Sequence, residues 1–237
     1  MPIDPLADIR LKSRMVIEAR YAINMKIVDK RGLALDTLKG KFKDRFPHMR
    51  IDNIGIHLVD EKNNPGQIVD FTIDRFRFQT DKEESAQNFL ELGKNILSEI
   101  YFINPGWFTN FARVGVRLIS VIEAKGCSRY EDSLNRVNAA FFGGRVPLTV
   151  NINDVAAVFI HEAGRIEVGP LKRGEAWVVN SFSDPEYDGP DFGFAFDVDS
   201  YATNVSCKNV DDLTRSFEAV LGLSLATEVE LVTALSS

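Results

Sequence analysis

The chain has 237 residues, of which 45% are hydrophobic and 26% charged, with a formal net charge of −6. These values are typical of a globular protein, and a pI near 5.2 argues against nucleic acid as a partner. Seventeen phenylalanines against five tyrosines predict a dry, aromatic core.

Cysteine content and apolar stretches bear on the compartment. Cys127 and Cys207 fit neither a metal-binding spacing nor a disulfide framework, which is typical of a cytoplasmic protein. Charges begin at the fourth residue, so no secretory signal is expected. No stretch approaches about 18 uninterrupted apolar residues, so we expect no membrane partner.

The charge is unevenly distributed along the chain. Residues 1–50 hold twelve Lys or Arg against six Asp or Glu, whereas residues 180–237 hold two against eleven. Two solvated faces would explain this pattern. The more specific interpretation is that the basic N-terminal part and the acidic C-terminal part attract one another, within one chain or between subunits.

The first half of the chain is expected over residues 14–106, after a loose N-terminus over residues 1–13. Period-two alternation predicts a strand over 14–24, and spacings of three and four predict a helix over 33–46. The turn sequence NNPG, from Asn63 to Gly66, predicts a hairpin.

Two further features complete this half. The apolar phase of the hairpin's second strand slips between Ile73 and Phe76, which predicts a β-bulge. Asp81 and Glu84 resemble a capping box ahead of an amphipathic helix with apolar residues from Ala86 to Ile100.

The second half, over residues 107–237, repeats this order. A strand over 111–122 precedes a helix that is expected to begin at the capping box Ser128-x-x-Glu131 and to end at Gly143-Gly144. The segment 155–162 is apolar on both faces, which predicts a central strand. Further strands are predicted over 165–168, 176–182 and 191–199, and a closing helix follows from Leu213.

The two halves predict an internal duplication. Phe71–Thr80 matches Phe194–Thr203 at Phe, Asp and Thr, and each stretch is followed by an amphipathic helix. We therefore expect an α+β protein with a mainly antiparallel sheet and two related strand–helix–strands–helix halves, the second carrying an extra hairpin near 150–170. Chance similarity between two generic units is the alternative.

The acidic segment from Ser183 to Phe194 raises the question of a cation site. Asp184, Glu186 and Asp188 occupy the first, third and fifth positions of a calcium-loop pattern, but Ala195 stands where a bidentate Glu is needed. We therefore favour a solvated loop between strands, and we expect no metal and no cofactor.

Four arginines are the candidates for contact with an anion or a partner. Arg113 and Arg117 lie on one strand, opposite its inward valines, and Arg75 and Arg77 lie on another. If these strands are neighbours, the four guanidinium groups line one sheet face, which suits an anion or another protein. Ion pairs within the chain are the alternative.

The strand "FARVGVRLIS" and the later "FDVDSY" before a closing helix resemble an uncharacterised bacterial family of similar length. In that family an Arg-x-Gly-x-Arg strand begins the second half and an aspartate-rich strand precedes the last helix. The likeness covers the C-terminal half, departs at Leu118-Ile119-Ser120, and implies an architecture but no reaction. The matching positions here are Arg113, Gly115, Arg117, Asp197 and Asp199.

The absence of a recognisable catalytic motif favours a non-enzymatic protein-binding or self-assembly module, either a homo-oligomer or a partner of another protein. An enzyme of unrecognised type is one alternative, with His161 and Glu162, or Asp197 and Asp199, in a cleft between the halves. A chaperone-like module that binds peptides along an exposed strand edge is another.

Overall fold

A computed structural model describes residue 6 and residues 9–63, 65–81, 85–106, 109–144, 155–175, 181–184 and 186–236. These residues form one nine-stranded sheet, in which every neighbouring pair of strands is antiparallel, and four helices. The predicted α+β class is confirmed.

Over the part of the chain that the structure describes, the order of elements in the first half recurs in the second with one strand fewer. In chain order they are β1 (Arg10–Tyr21), α1 (Lys26–Phe42), β2 (His48–Ile51), β3 (Gly55–Val59), β4 (Gln67–Thr72), β5 (Arg75–Thr80), α2 (Ala86–Ile103), β6 (Asn110–Glu123), α3 (Tyr130–Phe142), β7 (Ala157–His161), β8 (Gly164–Lys172), β9 (Phe192–Ser206) and α4 (Val210–Ser236).

The order of strands across the sheet is β2-β3-β4-β5-β1-β6-β9-β8-β7. The two central strands, β1 and β6, begin the two halves of the chain, and each half extends outward from its own first strand. From the centre outward, β5, β4 and β3 hold the places that β9, β8 and β7 hold on the other side. The hairpin β7–β8 therefore has a counterpart in β3–β4, and within the described residues the strand without a counterpart is β2.

Several details of the first half differ from the sequence-based expectation, including helix α1, which the spacing predicts over 33–46 and which spans Lys26–Phe42. β1 begins at Arg10, inside the segment expected to be loose, because its first residues pair with the end of β6. The phase slip after β4 marks a chain reversal and not a bulge: Ile73 N–H donates to Ile54 O, and Asp74 O accepts from Tyr21 N–H. Phe71–Thr80 crosses this reversal, whereas Phe194–Thr203 lies within the single strand β9. The sequence match between these two stretches therefore aligns positions that are not structurally equivalent. The internal duplication stays a prediction.

All four helices cover one face of the sheet. The larger core cluster packs α1, α2 and the first half of α4 against the middle of the sheet, and includes Ile17, Phe78 and Phe217. A second cluster lies under α3 and the end of α4, around Phe196. The rings of Phe78 and Phe89 stack with centroids 4.9 Å apart, as the phenylalanine-rich composition predicts.

The helix caps differ from the predicted ones. The N-cap of α2 is Ser85, whose Oγ accepts from Asn88 N–H, while Asp81 is buried and pairs with Arg14. At α3, Asp132 accepts from the N–H groups of Ser128 and Arg129, so the predicted Ser128–Glu131 box is displaced by one residue. The C-terminal stop is as predicted, with Gly143 and Gly144 in the left-handed region.

The 27-residue helix α4 is long and apolar enough to cross a membrane by length and composition, a test that the core helices of soluble proteins also pass. It packs on β6 and β9, with Leu213, Phe217 and Leu221 buried. Its fully buried Glu228 pairs with Arg10 at the start of β1 and accepts from Ser120 Oγ. The helix is therefore joined to the sheet by charge as well as by apolar contact.

Ion pairs connect the basic N-terminal part to the acidic C-terminal part within one chain. Besides Arg10 and Glu228, Lys12 Nζ lies 3.2 Å from Asp184 Oδ2. The interpretation that the two ends attract one another is thus observed as intramolecular pairing.

Candidate functional site

The sheet face opposite the helices, called the open face below, carries most of the charged strand residues. On each strand they alternate with the core residues, so the hydrophobic periodicity itself places them there. Across the centre of this face β5, β1, β6 and β9 are neighbours. Their charged open-face side chains include Arg75, Arg77, Glu18, Arg20, Arg113, Arg117, Asp197 and Asp199, and toward the start of β1 also Lys12 and Arg14.

The four candidate arginines do share this face, with β1 lying between the two pairs. Each is within ion-pair distance of a carboxylate. Arg117 Nε donates to Asp197 Oδ1 at 2.8 Å, and Arg113 lies between Glu18 and Asp199. Arg75 and Arg77 stand 4.0 and 3.9 Å from Glu18 and Asp70. The predicted grouping is observed together with the intramolecular pairing that was its alternative, and a role in binding an anion or partner stays a prediction.

A cleft of about 340 Å³ opens at the seam between the halves. Gly115 and Val16 form its floor, and Arg77, Arg113 and Arg117 stand around it. The Arg113 guanidinium stacks over the ring of Tyr201, 4.7 Å from its centroid.

Opposing influences act on the pKa of Asp199 beside this cleft. Burial raises the pKa of Asp199, and the positive charges of Arg113 and Arg117 oppose that rise. The hydrogen bond to Asp197 raises the pKa of Arg117. Asp197 and Asp199 are therefore both engaged by arginines, an arrangement that holds β6 to β9 across the open face.

The acidic segment is held by cations of the same chain. Asp184 pairs with Lys12, and Arg173 lies within reach of both Asp188 and Asp191. The hydrogen bond from Lys12 lowers the pKa of Asp184. Within the described residues no three acidic, histidine or cysteine side chains are grouped as metal ligands, and Glu186 is exposed.

The same segment covers one end of the open face. Ser183 N–H donates to Asp81, which also accepts from Arg14, and Ser183 Oγ donates to Pro65 O. Phe182 packs with Ile119, Val121 and Leu171 in a small cluster. The predicted solvated loop is therefore anchored to the sheet. The predicted strand over 176–182 falls mainly on residues 176–180, outside the described residues.

The histidines lie in unrelated settings. His57 is half-buried on β3, with its ring nitrogens 2.8 Å from Asp52 and 2.7 Å from Asp70. Its ring therefore lies between two carboxylates. His161 and Glu162 are exposed at the turn between β7 and β8.

Strand β7 is the outermost strand on its side of the described sheet, with β8 as its one neighbour. Its sequence, apolar on both faces, predicts a central strand, and that prediction is wrong. After Ala157, every residue of the strand is exposed, and Ile160 has 81% of its surface accessible. Phe159 also contacts Phe141 of α3, with ring centroids 5.6 Å apart.

The two edges of the sheet differ in kind. Natural edge strands are usually protected by shortness or charge, because a free row of N–H and C=O groups can pair with another chain. The opposite edge, β2, has four residues, including Arg50. β7 has five residues and no carboxylate, lysine or arginine among them. Within the described part of the chain, the sheet therefore has one edge that is short and charged and one that is suited to pairing.

Comparison with known proteins provides no relative: the chain matches no family model, no curated protein and no solved structure. The resemblance carried by Arg113, Gly115, Arg117, Asp197 and Asp199 stays a prediction. The case for a function therefore depends on the geometry alone.

Sequence reasoning placed the arginines on one face but missed the exposed edge. Strict alternation is the signal that distinguishes a half-buried strand, and β7 lacks it. Whether an apolar strand is central or at an edge depends on where the chain places its neighbours, and no local pattern in 155–162 carries that information.

Proposed function

We propose that the protein is a self-assembly module in which β7 pairs with β7 of a second copy. The observation that carries this proposal is the uncharged strand β7, which is exposed at the edge of the sheet that the described residues form. Pairing supplies partners for the outward N–H and C=O groups of the strand and buries its apolar side chains.

The sequence of β7 is complementary to itself. In an antiparallel pair centred on Phe159, Val158 faces Ile160 of the second copy and Ala157 faces His161. Residues directly opposite one another share a face, so Val158 meets Ile160 in two symmetry-related pairs and Phe159 meets its own copy. No two like charges meet along the strand, which distinguishes this edge from one that carries lysines.

This register also agrees with the layers of the fold. Val158 and Ile160 lie on the open face, whereas Phe159 contacts helix α3. Centring the pair on Phe159 keeps the helices of both copies on one side and uses all five residues. A shift by one residue would place the two helical layers on opposite sides. The product is a twofold dimer with one continuous sheet, the symmetry that soluble homo-oligomers use most often.

The test is the oligomeric state of the purified chain, measured by sedimentation velocity over a concentration series. We expect a monomer–dimer equilibrium that reaches dimer at high micromolar concentration. Ile160→Lys places a charge opposite Val158 of the second copy, beside the centre of the pair, and shifts the midpoint of dimerisation upward at least ten-fold. Phe102→Lys is the matched control, because Phe102 is 84% exposed at the end of α2, and it leaves the midpoint unchanged.

Two results would contradict the proposal. A chain that stays monomeric at high micromolar concentration in low salt shows that β7 does not pair with itself. If Ile160→Lys and Phe102→Lys weaken dimerisation equally, or if neither weakens it, association occurs through another surface.

A further inference from the structure

A pocket of about 490 Å³ lies at the end of the sheet, between α3 and the last turns of α4. It is on the helix-covered side, away from the open-face cleft. The floor consists of apolar side chains from strands and helix, and the rim carries three charged residues. The lining includes Ile9, Leu11, Ile122, Phe194, Phe196, Val232 and Leu235, with Glu123, Lys125 and Arg136 at the rim.

The floor belongs to the second core cluster. Ile122, Phe194, Phe196 and Leu235 are all buried, and Val232 packs against them. The cavity thus extends the core toward solvent and is not a gap between polar loops. Its size is within the range of small-molecule sites, which combine an apolar lining with a few placed polar groups.

Two cations at the rim have no carboxylate within ion-pair distance among the described residues. Arg136 is half-buried on the pocket side of α3, and its Nη2 lies beside Gly126, 3.4 Å from where a Cβ would be. Lys125 is exposed in the same loop as Gly126. Most other arginines of the fold are paired, as Arg10, Arg14, Arg113 and Arg117 show. A half-buried guanidinium without a counter-ion beside an apolar cavity is therefore unusual in this molecule.

We infer that this pocket binds a small amphipathic carboxylate, with its hydrocarbon chain on the floor and its carboxylate at Arg136 and Lys125. Guanidinium and ammonium groups form charge-assisted hydrogen bonds with a carboxylate. Glu123 offsets one of the two positive charges, so the rim carries a net single positive charge that complements one ionised carboxylate. The inference does not depend on β7, which is at the sheet edge.

The probe is dodecanoate, titrated into the full chain by isothermal calorimetry below its micelle concentration. Each buried methylene changes affinity about four-fold, so octanoate should bind at least ten-fold more weakly. Dodecanol, which has the same chain and no charge, should also lose at least ten-fold because it cannot pair with Arg136. The chain-length comparison tests the apolar floor, and the alcohol tests the cations.

Substitutions locate the binding site. Arg136→Gln should weaken dodecanoate binding about ten-fold and leave dodecanol binding unchanged, and Lys125→Gln, at an exposed position, should act in the same direction. Val232→Trp should fill the cavity and weaken both ligands. Arg215→Gln is the control, an exposed arginine on α4 that is paired with Asp212, and it should change neither.

Three results would overturn the inference. Equal affinity for dodecanoate and dodecanol removes the role of the cations, and equal loss in Arg136→Gln and Arg215→Gln removes the location. Binding that disappears in Ile160→Lys but not in Val232→Trp places the ligand at the β7 edge. A failure here leaves the dimerisation result unaffected, because the two experiments use different residues and different readouts.

Discussion

At the scale of single residues, the polar groups of this chain mostly hold its elements together. Glu228 is the strongest case, because it is fully buried in the second half of the long helix α4. Taking a carboxylate out of water is costly, and the cost is offset here by Arg10 and by the hydroxyl of Ser120. The pair connects the first strand to the last helix, and its two residues are 218 positions apart in the sequence.

Replacing Glu228 with Ala should therefore destabilise the fold by about 3–5 kcal/mol, because Arg10 remains buried without this carboxylate. The double substitution Arg10→Met and Glu228→Leu should recover most of that loss, since it removes both charges. Urea unfolding at pH 7 measures both effects. Glu230→Ala, at an exposed position of the same helix, is the control and should change little.

Asp184 provides a prediction with a defined pH dependence. Its pKa in the folded chain is lowered, chiefly by the hydrogen bond from Lys12, below an unfolded value of about 3.9. Its ionised form therefore stabilises the fold above that unfolded value, and the contribution is lost as pH falls through the folded value. Asp184→Asn should lower the urea midpoint of unfolding at pH 7. At a pH below both the folded and the unfolded pKa of Asp184, the variant and the wild type should have the same midpoint.

The control for Asp184 lies two residues along the chain. Glu186 is exposed on the same segment, and Glu186→Gln should change the unfolding midpoint little at either pH. A destabilisation by Asp184→Asn that persists unchanged at strongly acidic pH would show that lost packing, and not the Lys12 pair, is responsible.

At the scale of elements, how closely a helix packs on the sheet depends on the size of the residues that face the strands. Gly93 lies on the buried side of α2, where an added Cβ would come within 2.6 Å of Ile17 Cδ1. Gly40 lies on the exposed side of α1 with nothing within 4 Å. One glycine allows close packing of helix on strand, whereas the other only weakens its helix.

The same substitution at these two glycines should have opposite effects. Gly93→Leu overpacks the core and should destabilise by about 1–3 kcal/mol. Gly40→Leu replaces a poor helix former at an open position and should stabilise by about 0.5–1 kcal/mol. Thermal unfolding of the two variants checks the pair, and destabilisation of similar size at both sites would contradict the packing described for α2.

Periodicity predicted most elements, because the buried stripe of a helix and the inward residues of a strand are local properties. Ala86, Phe89, Ile96 and Ile100 are buried on α2 as their spacing predicts. What the pattern could not predict is where strands stop and what lies beside them. The reversal at Ile73 looks like a bulge from the sequence, since both produce a slip of one residue in the apolar phase.

At the scale of the whole molecule, the sheet has one face covered by helices and one that carries charge. The predicted grouping of arginines followed from alternation, but their carboxylate partners come from strands distant in sequence, such as β9 for Arg117. The pocket beside Arg136 has no local signature either, because its lining comes from both ends of the chain. In contrast, the strand order alone identifies β2 and β7 as the edge strands of the described sheet.

The central claim, pairing of β7 with itself about Phe159, is tested most directly by disulfide cross-linking. With Cys127 and Cys207 replaced, Phe159→Cys places two thiols opposite one another at a Cα separation of about 4.5–5.5 Å, which a disulfide can span. In Ala157→Cys the two thiols lie about 13 Å apart, since each is displaced by two residues from the centre. We expect rapid covalent dimer formation for Phe159→Cys and little for Ala157→Cys. Equal cross-linking of the two variants, or none in either, would contradict the claim.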